Sequence, residues 1–337
     1  MATTDLRFGI IGWGYWGPKI ARNLESLPHV AVTMVADRDA VRLATVPANQ
    51  YESRMRCTTS AEEVFASNID GVVIATPVQT HYRLAKEALL RGKHVLVEKP
   101  LTTDVAEAEE LVALAKERAL TLMVGHTFEY SPAVNELRKF VQNGDLGAIY
   151  CIEAERLNLG LFRSDVNVIW DLAPHDVSIL LYILGNKPAH VKAQAKANLQ
   201  PGIHDIAHLD LDFARSTTAH IHVSWLHPNK VRRITVIGDK RMAVYDDTNP
   251  SEMLKIYNKG ADVQADPVVS YRFGAVTIPH IDWVEPLRLE CEDFANAIRT
   301  GEQPRANGSV GLEVVRVLAA AQQAIASQET PLEAAAL

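Results

Sequence analysis

The stretch Gly12-Trp13-Gly14-Tyr15-Trp16-Gly17, set directly after the apolar run Leu6 to Ile11, constrains this chain more than any other. A buried strand that turns at once through G-x-G-x-x-G into a helix needs glycine three times, each for its own reason. Gly12 permits the tight turn, Gly14 lets the backbone approach a pyrophosphate, and Gly17 lets the helix pack closely on the sheet. Tyr15 and Trp16 complete the loop, and its turn and helix N-terminus present unpaired amides to phosphate. Pro18 falls in the first helical turn, where its missing N–H does no harm, and the helix runs to about Leu27. A second apolar run, Val30 to Ala36, ends in Asp37, twenty residues after Gly17, where a carboxylate accepts from the ribose hydroxyls of a dinucleotide. That carboxylate repels a 2′-phosphate, so NAD is expected in preference to NADP, although Arg38 next to it pulls the other way.

The strand–helix alternation continues. Ser60-Ala61-Glu62-Glu63 reads as a capping box opening a short helix. Asp70 to Thr76 reads as a strand, Thr80 to Arg91 as a helix stopped by Gly92, and His94 to Glu98 as a strand. Asp104 to Arg118 is then a helix and Leu120 to Gly125 a further strand. Parallel neighbours need crossover helices of this length, so residues 1–125 are expected to form an α/β, doubly wound parallel sheet of the Rossmann kind. Ligands of such sheets sit beyond the carboxyl ends of the strands. Gly12 to Gly17, Asp37, Thr76-Pro77 and Glu98-Lys99-Pro100 all fall there, and Lys99 stands as a proton-transfer group at the edge of the dinucleotide site.

From residue 126 to 337 the texture changes to an α+β domain with a mostly antiparallel sheet. Helices are expected over Pro132 to Val141, Trp170 to Leu184, Pro286 to Arg299 and Gly311 to Ala326. Strands are expected at Ala148 to Glu155 and, in short alternating runs, between Lys187 and about Tyr257. Within Trp170-Asp171-Leu172-Ala173-Pro174-His175-Asp176, Asp171 and His175 lie four apart, on one face if helical. A carboxylate beside an imidazole fixes its tautomer and favours its protonated form. The competing reading is a helix-capping Asp171 and a satisfied core His175. A metal site lacks companion ligands, and none is expected. Arg156, Asn158, Arg163 and Asn167 precede this segment and are candidates to hold a sugar or its pyrophosphate. The alternative for them is a solvated loop with ion pairs to Glu155 and Asp165.

A formal charge of −7 over 337 residues, with no basic run beyond Lys230 and Arg232-Arg233, argues against nucleic acid. Three cysteines, odd in number and far apart, offer neither a disulfide framework nor a CxxC site and fit a reducing cytoplasm. The start Met-Ala-Thr-Thr-Asp-Leu-Arg does not read as a signal peptide, and no window is expected to reach the roughly 18 apolar residues of a membrane helix.

Taken together, Gly12-x-Gly14-x-x-Gly17, Ala75-Thr76-Pro77 through His81, Glu98-Lys99-Pro100 and Asp171-x-x-x-His175-Asp176 resemble the Gfo/Idh/MocA family of oxidoreductases over essentially the whole chain. The resemblance implies that Lys99 and His175 lie over the nicotinamide and the reacting carbon with Asp171 beside them. It also adds Thr76, Pro77, His81, Glu98 and His126 to the cofactor contacts. It implies a homo-dimer or homo-tetramer built through the open face of the second sheet. Two departures stand out: Val168-Ile169-Trp170 replaces the glycines usual before D-x-x-x-H, and His126-Thr127 stands where many members carry asparagine. Arg156-Leu157-Asn158 and Glu285-Pro286-Leu287 align the chain with the nucleotide-sugar branch, whose members oxidise a ring hydroxyl of a sugar nucleotide. A free polyol or monosaccharide as substrate, an NADPH-dependent ketoreduction and a non-catalytic dinucleotide sensor remain the alternatives.

Overall fold

The computed structural model describes residues 5–47, 55–214, 217–263 and 269–328; the opening Met1–Thr4 and the alanine-rich tail (329–337) lie outside the described residues. Strands buried on both faces carry near-continuous apolar sequence, and β1 (Leu6–Ile11) is buried at every position but Arg7. After it come α1 (Gly17–Glu25), β2 (Val30–Ala36), α2 (Ala40–Leu43), β3 (Arg56–Thr58), α3 (Ala61–Ala66) and β4 (Gly71–Ile74). Then follow α4 (His81–Leu90), β5 (His94–Glu98), α5 (Val105–Glu117) and β6 (Leu122–Gly125). The strands form one parallel sheet in the order β3-β2-β1-β4-β5-β6, so the winding reverses between β1 and β4. The carboxyl ends of β1, β2, β4 and β5 deliver Gly12, Asp37, Thr76 and Lys99, as the expected topology requires. One local expectation fails. Ser60 precedes α3, but its side chain makes no capping bond; Glu63 instead pairs with Arg56 at 2.9 Å.

The second sheet is built from β7 (Ile149–Leu159) after α6 (Pro132–Gln142), and, beyond α7 (Val168–Leu184), from seven further strands. These are β8 (His190–Lys196), β9 (Ile206–Asp212), β10 (Thr218–Ser224), β11 (Leu226–Gly238), β12 (Met242–Asp246), β13 (Leu254–Val263) and β14 (Val269–Thr277). Their order is β14-β13-β12-β11-β7-β10-β9-β8, antiparallel throughout except for β7 beside β10. Alternation is strict where one face is covered: Ala207, Leu209 and Leu211 of β9 and Ala219, Ile221 and Val223 of β10 are buried, and α7 packs on these strands. His208, Asp210, His220 and His222 point the other way. The strands expected to end near Tyr257 continue through β13 and β14.

The boundary expected between residues 125 and 126 is corrected. One compact unit joins Met1–Ser131 with Val284–Val315, the other Pro132–Trp283 with Arg316–Leu337. The reason lies in α8 (Pro286–Thr300), which places Leu287, Cys291, Phe294 and Ala295 in one core with Phe8, Ile20 and Leu24. The rings of Phe294 and Phe8 are 5.5 Å apart. The closing helix α9 (Gly308–Gln328) also departs from expectation. Over Gly308–Ser327 it is long and apolar enough, at mean hydropathy 1.2, to pass as a membrane span. Val314, Val315, Leu318, Ala321 and Ile325 are nevertheless buried in the protein, the pattern of a core helix.

Candidate active site

The glycine turn is built as the sequence requires. At Gly12, φ is +104°, and an added Cβ would lie 2.4 Å from the Ala75 carbonyl oxygen. At Gly17 it would lie 2.1 Å from the Gly12 carbonyl oxygen, whereas at Gly14 the nearest atom is Arg42 Nη1 at 3.6 Å. Trp16, the N-cap of α1, makes no side-chain capping bond, and no acidic residue stands in the first turn. Uncapped helix amides above a Cβ-free approach fit a dinucleotide pyrophosphate. Asp37 is buried; its Oδ2 accepts from the Trp13 N–H at 2.7 Å and its Oδ1 from the Asp39 N–H at 2.9 Å. The same carboxylate that would meet the ribose therefore also pins the glycine turn. Arg38 is exposed, and the arginine beside Asp37 is Arg42, with Nη1 3.8 Å from Oδ2. Sequence reasoning missed Arg42 because only the turn at Asp39, the N-cap of α2, brings it back.

At the end of β4, Thr76 and Thr80 hydroxyls meet at 2.7 Å beside Pro77. His81 was expected among the cofactor contacts, but it is buried with Nδ1 2.9 Å from the Pro100 carbonyl and Nε2 2.8 Å from the Thr76 carbonyl. It ties the β4 loop to the Lys99-Pro100 turn, a cis peptide bond. Only an imidazolium could donate to both carbonyls. Burial outweighs their pull and, with Lys99 nearby, lowers the pKa, so a neutral ring donates to one of them. His126, after β6, is buried; among the described residues neither ring nitrogen has a partner. Burial, helped by the Lys99 charge, pushes its pKa down to about 3, so it is neutral at any working pH.

Glu98 is buried at the end of β5, opposite Gly125 in register. Burial pushes it up from 4.5 to about 7, against the opposing pull of the Lys99 charge and N–H. An acid raised by folding contributes no penalty below 4.5, and stability is lost as pH rises from there through about 7. The loss is on the order of 3 kcal/mol at most. In thermal melts Glu98→Gln is expected to match the parent below pH 4.5 and to exceed it above about pH 7, where the parent's carboxyl is charged. A gap of equal size at both ends contradicts this.

In the second unit Asn167, expected to touch sugar, is the N-cap of α7. Its Oδ1 accepts from the Ile169 and Trp170 N–H groups and its Nδ2 donates to Gln322 at 2.8 Å. Asp171 and His175 follow on one face of that helix, despite Pro174 inside it. The Trp225 indole N–H donates to Asp171 Oδ2 at 3.0 Å, and Arg163 Nη1 lies 3.6 Å from Oδ1. Arg163 also forms a two-pronged pair with Asp165, at 2.8 and 2.7 Å, as the ion-pair alternative foresaw. Arg156 is the clearest correction. It is buried, and its Nε and Nη2 bond Asp176 at 2.8 and 3.0 Å, so its guanidinium is committed to the fold rather than to a ligand. Asn158 is half-buried and folds back near Gly160. Removing one partner of a buried pair strands the other charge, so Arg156→Ala is expected to lose about 3–5 kcal/mol in denaturant unfolding. A stable variant with a raised KM instead would return Arg156 to the substrate.

Trp225 was missed because nothing local links it to Asp171. Trp225→Phe keeps an aromatic ring, though a smaller one, and removes the N–H donor, and hydrogen bonds to charged groups are worth about 1.5–3 kcal/mol. With Asp171 expected to orient His175, turnover is expected to fall about tenfold with KM held within about twofold. An unchanged kcat would make it a packing residue.

A glycine cradle at the switch point of a parallel sheet, with a lysine at the next strand end, defines a nicotinamide-dependent oxidoreductase as the class. Residues 6–126 match the family model described as oxidoreductase family, NAD-binding Rossmann fold, and residues 134–244 match the GFO/IDH/MocA C-terminal domain. UDP-N-acetylglucosamine 3-dehydrogenase of Acidithiobacillus ferrooxidans is 34% identical over 329 residues, covering 97% of this chain and 99% of that protein. A solved structure of that enzyme aligns with a TM-score of 0.80 at 31% identity, covering 96% of this chain and 99% of the other. GenD2 from gentamicin A biosynthesis, solved with NAD, shares the fold at a TM-score of 0.82 and 23% identity, covering 97% and 95%. The chain belongs to the Gfo/Idh/MocA family of oxidoreductases, and its cofactor is NAD.

Proposed function

We propose that this enzyme oxidises a ring hydroxyl, the 3-hydroxyl, of a nucleotide-linked sugar to a ketone. NAD supplies the acceptor for the hydride. In this reading His175, oriented by Asp171, takes the hydroxyl proton as the C–H electron pair leaves the same carbon and the C=O bond forms. Lys99 donates a hydrogen bond to that oxygen and stabilises its alkoxide-like charge. The observation that carries the reading is the held carboxylate: Asp171, fixed by the Trp225 indole, stands one helical turn before His175. Full-length similarity to a UDP-N-acetylglucosamine 3-dehydrogenase supports the substrate class. The dinucleotide contacts assigned are Gly12, Gly14, Tyr15, Trp16, Gly17, Asp37, Thr76, Pro77, Glu98, Lys99 and His126, with Asn158 and Arg163 kept for the sugar nucleotide. Arg156 and Asn167 leave that set.

The enzyme is further assigned to the cytoplasm, with a small-molecule substrate and neither nucleic acid nor membrane as partner. It is assigned as a homo-oligomer through its second sheet. Exposed Val269, Tyr271, Phe273 and Val276 on the edge strand β14 support the last point, because such apolar edges are normally covered. The test of function is nicotinamide reduction with NAD and NADP in parallel. UDP-N-acetylglucosamine and its uronate relative are compared with free glucose and myo-inositol. Reduction of NAD by a nucleotide sugar alone is expected; turnover with the free polyol alone would overturn the substrate class.

A further inference from the structure

β5 and β6 pair in parallel with Glu98 opposite Gly125, so Lys99 and His126 leave neighbouring strands at the same end. His126 is 1% exposed, and among the described residues neither ring nitrogen has a hydrogen-bond partner. A neutral imidazole offers one donor and one acceptor, and leaving both unmet under burial is costly. The carboxamide at the nicotinamide end of NAD carries a carbonyl acceptor and an amide donor, so it can meet both.

The backbone that presents His126 is short. Its N–H donates to the Val124 carbonyl at 2.7 Å, and a single 3-10 turn, Thr127–Tyr130, follows. Such turns are weakly bonded, so this one depends on anchors outside itself. They come from α8 and from residues 304–307 beyond it. The Tyr130 hydroxyl donates to Asp293 Oδ2 at 2.7 Å, the Arg305 N–H donates to the same oxygen at 2.8 Å, and the Ala306 N–H donates to the Tyr130 hydroxyl at 3.2 Å. These bonds close a ring through three segments distant in sequence. The Arg305 guanidinium lies over the Tyr130 ring at 4.8 Å and donates to the Glu129 carbonyl. The same segment borders β6: the Val124 N–H donates to the Ala306 carbonyl at 2.8 Å, and Met123 bridges Asn307. The turn that starts at His126 is therefore held at both ends. Packing in one core with Leu287, Cys291 and Phe294 accounts for the Tyr130 ring, and phenylalanine would pack as well. It does not account for a buried hydroxyl bonded on both sides. Burial and the Asp293 charge keep that hydroxyl protonated, as the ring of bonds requires.

Resting on the assignment of His126 to the dinucleotide, we propose that Asp293, Tyr130 and Arg305 form a clamp that positions His126 against the carboxamide of the nicotinamide. All three are positioning residues that act through the turn. Their influence is confined to one half of NAD. The adenosine half is assigned to the glycine turn and Asp37 at the ends of β1 and β2, and β6 lies beyond β4 and β5 from these.

The test uses full-length enzyme without sugar and compares NADH with ADP-ribose, which lacks the nicotinamide, by titration calorimetry. Asp293→Asn and Tyr130→Phe change almost no volume. Each is expected to weaken NADH about tenfold while ADP-ribose stays within about twofold. The double variant is expected to lose no more than the worse single one, because the bonds form one unit. A merely structural ring would lower the melting temperature and leave the ratio of the two affinities at the parent's value, which overturns the proposal. His126→Leu separates the clamp from the contact it serves. If it weakens NADH alone while the folded clamp variants do not, the clamp fails and the contact stands. If the clamp variants weaken NADH alone while His126→Leu does not, the proposal falls with the contact, and His126 leaves the cofactor site.

Discussion

Lys99→Met is expected to lower turnover by about 10²–10³, the usual worth of one donor aimed at a developing oxyanion. NADH affinity should stay within a few-fold. Methionine keeps most of the side-chain length, so the variant removes the ammonium group and little else. Lys99 follows directly from β5, whose Val95, Leu96 and Val97 are fully or almost fully buried, so the backbone that presents it has little freedom to compensate. The measurement is single-turnover nicotinamide reduction alongside NADH fluorescence titration. Loss of binding together with turnover would make Lys99 a cofactor anchor. Retention of both would remove it from the chemistry.

Gly17→Ala is expected to abolish cofactor binding in a protein that still folds its second unit. The added Cβ would fall 2.1 Å from the Gly12 carbonyl oxygen, a backbone atom that cannot swing aside. Either α1 moves off the sheet or the Gly12 turn opens, and both misalign the helix amides that would face the pyrophosphate. A loss of about 3 kcal/mol corresponds to more than a hundredfold in affinity. Gly14→Ala is the control, because its Cβ would meet Arg42 Nη1 only at 3.6 Å. It is expected to lose less, through crowding of the phosphate alone. Equal effects from the two substitutions, by NADH titration, would show that the glycines do not have separate roles.

The first sheet was legible because its information is local. The strands β1, β2, β4 and β5 each end in a residue whose chemistry announces the turn, and crossover helices leave one economical topology, whereas the three-residue edge strand β3 was too short to be read. What the sequence concealed was long-range. The apolar stripe of α8 shows that the helix is buried, not which sheet it covers, so its return to the first unit went unread. β14 was missed because a strand exposed on both faces carries no burial pattern to read, and β13 was read only as far as Tyr257 because the alternation of buried Leu254 and Ile256 stops there. In β14 every residue is exposed or partly so, and Gly274 interrupts the run. In the site, Asp171 and His175 could be paired by spacing. Trp225 reaches Asp171 from 54 positions away and leaves no spacing to read. Arg156 misled for a related reason: an arginine on a strand looks the same whether it faces a phosphate or a buried aspartate. Asp176, one residue past the histidine, was the available signal.

The most direct measurement uses UDP-N-acetylglucosamine carrying deuterium at carbon 3, incubated with this enzyme and NAD. Deuterium is expected on the nicotinamide of the product, with slower single-turnover reduction than for the unlabelled sugar. Reduced cofactor free of deuterium, formed at an unchanged rate, would mean that the hydride comes from another carbon and would contradict the assignment.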